Sequence, residues 1–150
     1  MLEIVEAPNE PKEKNKIKLF LAGGITNCPN WQKEIIDRLE YTVNVYTKHM
    51  LEEVTVFNPR RENFPIENPN ASKEQISWEF YKLRESDIIV FWFSRGSLVI
   101  GVDPEYERIS DVEIQTKLAK PTQEICYNLD SFYKQITDKI YNVLIAKNNF

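Results

Sequence analysis

Short apolar runs of strand length alternate along this chain with stretches whose apolar residues recur every three or four positions, and several of the runs are apolar on both faces. That pattern predicts an α/β three-layer sandwich, with a mostly parallel, Rossmann/flavodoxin-like sheet and helices on both faces. The size agrees, since 150 residues with 42% hydrophobic and 12% aromatic content suffice for one core. Residues 1–15 carry Pro8, Pro11 and several charges and are expected to form a flexible leader, followed by a single domain over 16–150.

Order should begin with the strand Ile17-Lys18-Leu19-Phe20-Leu21-Ala22, stopped by Gly23-Gly24. Trp31, Ile35 and Leu39, spaced by four, predict a helix over 30–41. Val54-Thr55-Val56-Phe57 is the second strand, halted at Asn58-Pro59, and residues 60–72 read as a loop long enough to be functional. The stretch from Gln75 to Ser86 reads as an amphipathic helix centred on Ile76, with Phe80 about 40° to one side and Leu83 about 20° to the other. Glu79 falls about 60° from that centre, at the margin of the expected buried face, and Trp78 about 200° away on the expected outer side. Residues 88–93 follow as a fully apolar strand and 97–102 as a fourth. Ile109, Val112 and Thr116 suggest a short helix, 122–127 a last strand, and 129–144 a closing helix of about five turns.

Composition excludes several functions. A net charge of −4 with no Lys/Arg stripe leaves no footprint for duplex nucleic acid. No stretch has the make-up of a signal peptide or a membrane span, so a cytoplasmic protein away from membranes is expected. Cys28 and Cys126 form no metal pattern and read as free thiols, while His49 is alone and reads as a surface or loop residue. Neither a metal nor an organic cofactor is implied.

In doubly wound sheets ligands bind beyond the carboxyl ends of the strands, which gathers Gly23-Gly24, Asn58-Pro59-Arg60-Arg61 and Phe93-Ser94-Arg95-Gly96 around one candidate cleft. The two glycines let backbone approach a ligand, or merely make a strand-to-helix turn; they are neither a dinucleotide fingerprint nor a P-loop. Arg60 and Arg61 can hold a phosphate or carboxylate bidentately, or pair with Glu62, Glu67 or Glu85. Phe20, Phe57 and Phe93 can stack a base or fill the core. Asp87, between helix and strand, is expected to bond backbone. Glu79 is either a solvated edge residue or an acid in a cleft.

Phe20-Leu21-Ala22-Gly23-Gly24-Ile25, Trp31, Asn58-Pro59-Arg60-Arg61, Gln75-Ile76-Ser77-Trp78-Glu79, Ser86-Asp87 and Phe91-Trp92-Phe93 together resemble the nucleoside 2-deoxyribosyltransferase-like family. The likeness continues through Val99-Ile100-Gly101-Val102-Asp103-Pro104-Glu105-Tyr106 and Asp111-Val112-Glu113-Ile114-Gln115-Thr116, in the family's order over nearly the whole ordered chain. It implies a Rossmann-like sheet and chemistry at an N-glycosidic bond, either transfer of a 2-deoxyribosyl group between bases or hydrolysis. Such chemistry needs a proton for the departing base and a carboxylate to meet the oxocarbenium-like sugar. On the resemblance Glu79 is the acid/base. Phe20, Gly23, Gly24, Asn58, Arg60, Arg61, Asp87 and Phe93 form the substrate-binding set for a nucleoside or nucleotide, with Arg60 and Arg61 near any 5′-phosphate.

The nucleophile departs from the family's pattern. The family carries a Glu in a Glu-Leu-Gly-like turn opening a helix, where this chain has only Ser94-Arg95-Gly96-Ser97-Leu98. Residue count points to Glu105, within another motif, with Glu113 behind it. So short a link also cannot make a parallel crossover, which would leave 88–93 and 97–102 antiparallel or loosely paired. The alternative is therefore a catalytically inactive nucleotide-binding protein, a sensor or sequestering module, and a third reading is an interaction domain that kept only the fold. The resemblance further implies a homo-oligomer, for which Trp78 and Tyr81 are the expected contact residues.

Overall fold

The computed structural model describes residues 1–46, 50–93 and 126–148. The expected strand 97–102, helix around 109–116 and most of strand 122–127 lie outside the described residues, as does His49. The elements are β1 (Glu3–Glu6), β2 (Ile17–Gly23), α1 (Trp31–Val45), a 3-10 turn (Met50–Glu53), β3 (Val54–Asn58), α2 (Ala71–Glu85), β4 (Ile88–Trp92) and α3 (Leu129–Asn148). The four strands pair in the order β1-β3-β2-β4, every pair parallel. The α/β sandwich is as expected.

Alternation along the strands sorts the core into two layers. Ile17, Leu19 and Leu21 of β2, Val54 and Val56 of β3 and Ile88 of β4 turn to one face. There they meet Trp31, Ile35, Ile36 and Leu39 of α1 and Phe132, Ile136 and Ile140 of α3. Asn30 starts α1 by accepting a 3.1 Å bond from the Lys33 amide. Arg38 ties α1 to α3 through Asp130 at 2.6 Å; this bond first, and then one to Glu34, raise its guanidinium above the usual arginine range. The opposite face carries Val5, Phe20, Ala22 and Phe57 with Trp78 of α2. β4 is apolar on both faces as expected, but only one of them is buried, for Ile89 and Phe91 on the other face are 41% and 54% exposed.

Residues 1–15 are not a flexible leader throughout. Glu3–Glu6 pairs with β3 in register from Glu3↔Thr55 to Glu6↔Asn58. Val5 and Ala7 are buried, and the Glu3 carboxylate takes the amides of Lys12 and Glu13. Polar composition hid a strand whose hydrogen bonds come from β3 rather than from its own propensity. Val5→Asp would put an unpaired carboxylate in that layer and is expected to cost about 3 kcal/mol or more, a fall in Tm of about 6 °C or more. A melting curve unchanged by the substitution would restore the flexible leader.

The face that α2 buries also differs from the expectation. Trp78 and Lys82 are buried, while Ile76, Phe80 and Tyr81 are 68%, 51% and 59% exposed. Trp78 packs its ring 6.1 Å from Phe20 and 6.0 Å from Phe57, with its indole N–H satisfied. A large ring with a bonded N–H, beside a lysine stem that is itself apolar, outweighs one isoleucine and one phenylalanine. Periodicity treated Lys82 as polar and so centred the helix on the wrong side.

Candidate functional site

Because the strands are parallel, β2, β3 and β4 deliver Gly23, Asn58 and Trp92 to the same edge of the sheet. Gly23 ends β2 with φ +138°, and a Cβ there would lie 2.0 Å from the Trp92 carbonyl oxygen and 3.1 Å from the Trp31 ring. Only glycine allows β2 and β4 to close here. Gly24 then donates its amide to Trp92 O at 3.3 Å and accepts from Trp31 Nε1 at 3.1 Å and Gln32 Nε2 at 3.4 Å. Of the two sequence readings of this pair, the turn accounts for every bond made by Gly24.

At the end of β3, Asn58 folds its side chain back to accept the Arg60 amide at 3.0 Å, which turns the chain out of the sheet. Arg60 does not project freely. Its guanidinium donates to Pro29 O and Cys28 O, both at 2.9 Å, and to Gln32 Oε1 at 3.4 Å, clamping the β2–α1 loop. Arg61 pairs with Glu74 at 2.8 Å and lies 5.3 Å over the Phe64 ring; its side chain is 6% exposed, and its Nε has no partner.

Glu79 stands half-buried on α2, one turn after Gln75. Gln75 Nε2 donates at once to Glu79 Oε1 (2.9 Å) and to Pro59 O (2.7 Å), so one amide holds the carboxyl against the end of β3. This double donation fixes the amide's orientation and leaves its Oε1 buried with no acceptor role filled. Two buried polar atoms without partners, Gln75 Oε1 and Arg61 Nε, therefore lie on residues of this rim. Each such atom costs about 1–3 kcal/mol where no partner, protein or water, meets it.

The remaining candidates fall elsewhere. Phe20 is 2% exposed against Trp78 and is core, not a platform for a base. Asp87 sits at the opposite, amino-terminal edge of the strands. Its carboxylate accepts the Lys18 amide at 2.8 Å and Lys147 Nζ at 2.6 Å, and its own amide donates to Lys18 O, as a backbone staple would. Phe93 follows β4 at the site edge and stacks on Phe91 with centroids 6.0 Å apart. Glu105 and Glu113 lie outside the described residues.

Two glutamines carry more of the site than the sequence reading gave them. Gln32 is fully buried between Gly24 and Arg60. Gln75 appeared only as a motif letter. The available signals were a polar residue beside the Trp31-Ile35-Leu39 stripe and the i,i+4 spacing of Gln75 and Glu79.

The model of the family described as nucleoside 2-deoxyribosyltransferase like matches residues 16–128, well over half of the chain. The chain belongs to the nucleoside 2-deoxyribosyltransferase-like family. No curated protein sequence matches it. The family match covers Gly23, Asn58, Gln75 and Glu79 together, and begins one residue before β2. In this nucleoside 2-deoxyribosyltransferase-like protein β1 therefore lies outside the matched region, although it is hydrogen-bonded to β3 within it.

Proposed function

We propose that this nucleoside 2-deoxyribosyltransferase-like protein breaks the N-glycosidic bond of a nucleoside or nucleotide, as a 2-deoxyribosyltransferase or an N-glycosidase, with Glu79 as the acid/base. The observation that carries the reading is the Gln75–Glu79 bond of 2.9 Å at the carboxyl end of a parallel sheet. A carboxyl held on a helix and aimed by a neighbouring amide suits proton delivery to a departing base. Arg61 Nε and Gln75 Oε1, buried without a protein partner, add polar groups beneath this rim. With Arg60 spent on the β2–α1 loop, Arg61 is the better arginine for a 5′-phosphate. The second carboxylate is assigned to Glu105, from residue count alone.

The binding-protein reading has one observation in its favour: the five residues 94–98 leave no room for the helix that carries the family's nucleophile. A panel of nucleosides and nucleoside monophosphates incubated with the protein separates the two by chromatography. Free base, lost in Glu79→Gln, supports the enzyme. Intact nucleotide that raises Tm without being consumed supports the binding protein.

The proposal includes a homo-oligomer in the cytoplasm. Its contact surface moves from Trp78, which is buried, to Ile76, Phe80 and Tyr81, exposed among the described residues. Light scattering is expected to return at least a dimer, and a monomer at high concentration would end that part of the reading. Among the described residues no helix is long and apolar enough to cross a membrane.

A further inference from the structure

We propose that residues 7–10 and Lys82 form the positioning device for Glu79, a role that rests on the acid/base reading above. Lys82 is the most deeply placed lysine among the described residues, with its side chain 3% exposed. Its ammonium pairs with Glu10, lies 3.5 Å from Glu85 and sits 5.6 Å over the Phe57 ring. A buried lysine head group needs polar partners, so Glu10 and Glu85 fix where Lys82 can be.

The same stripe of α2 bears two further anchors. Gln75 donates to Pro59 O, and Trp78 Nε1 donates to Asn9 O at 2.7 Å. Residues 75, 78 and 82 follow the i, i+3, i+7 spacing of one helix face, so together they set both the rotation and the height of α2 on the sheet. Two of the three anchors end on residues 9 and 10. That strap is itself tied to the site, because the Ala7 amide donates to Asn58 O at 3.0 Å.

At the amino end of α2 Asn70 makes no side-chain cap bond, and the side-chain tie there is the ion pair of Glu74 with Arg61 at 2.8 Å. Glu79 follows Trp78 directly and is turned about 100° from it, so any rotation of the stripe carries Glu79 with it. A misplacement of about 1 Å costs a reaction up to about a hundredfold, which makes this anchoring a matter of turnover as well as of stability.

The test compares Glu10→Gln, Lys82→Met and Lys82→Arg. Glu10 is a mild place to intervene, its side chain being 72% exposed, so Glu10→Gln keeps the fold even if Lys82→Met does not. Base release by Glu10→Gln is expected to fall about tenfold in kcat with KM within about twofold, and Lys82→Arg is expected to retain most of kcat. A folded Glu10→Gln protein with unchanged kcat would overturn the proposal. If the wild-type protein releases no base, the acid/base reading fails on its own, and NMR exchange of the Gln75 side-chain amide protons decides the positioning. Exchange several-fold faster in Glu10→Gln supports the device. Unchanged exchange overturns it.

Discussion

Gly23→Ala is expected to lower Tm by about 10 °C or more, or to yield no folded protein at all, corresponding to at least about 4 kcal/mol. Two costs combine. At φ +138° an alanine is strained whatever surrounds it. Its Cβ would also lie 2.0 Å from Trp92 O, which is backbone and cannot rotate aside. The only relief is to part β2 from β4 where their ends meet, which breaks the Gly24 N to Trp92 O bond and loosens the Trp31 indole bound to Gly24 O. Differential scanning calorimetry reads the result directly. A shift below about 2 °C would mean that the strands do not approach in this way.

Glu79→Gln is the complementary case, with a large effect on chemistry and a small one on the fold. Glutamine has the same shape, and its side-chain oxygen can still accept from Gln75 Nε2, so the link from α2 to Pro59 survives. Only the transferable proton and the charge are lost. Under the proposed reaction kcat should fall by about 10²–10⁴, the range typical of one general acid/base, while stability changes by less than about 0.5 kcal/mol. Turnover equal to the wild type would remove Glu79 from the mechanism. A protein that fails to fold would instead make Glu79 structural.

The layers of the sandwich were legible because period-2 and period-3.6 patterns survive wherever apolar side chains do the packing, as in β2, β3 and α1. The orientation of α2 was not, because its buried face carries Trp78 and Lys82, with Gln75 half-buried beside them, and the donor groups of all three reach distant residues. No local window contains Asn9, Glu10 and Pro59 together. β1 escaped for a related reason, as its partner lies in β3. At the site, the glycines and Glu79 stood out by type. Arg60 and Phe20 could be separated from ligand-binding residues only by what they touch, and Asp87 only by which end of the sheet it occupies.

The pairing of β1 with β3 also governs the order in which the chain can assemble. Glu3 meets Thr55, so the first strand has no described sheet neighbour until roughly fifty further residues have been made. At common synthesis rates that is an interval of about 3–10 s. During it β2 and α1 can already begin to collapse through Leu19, Trp31 and Ile35, whereas β1 waits. The strap at residues 7–10 closes later still, once Trp78 and Lys82 exist to receive it. Residues 3–10 thus wait for partners made well after them, and they lock the helix that bears Glu79 when those partners arrive.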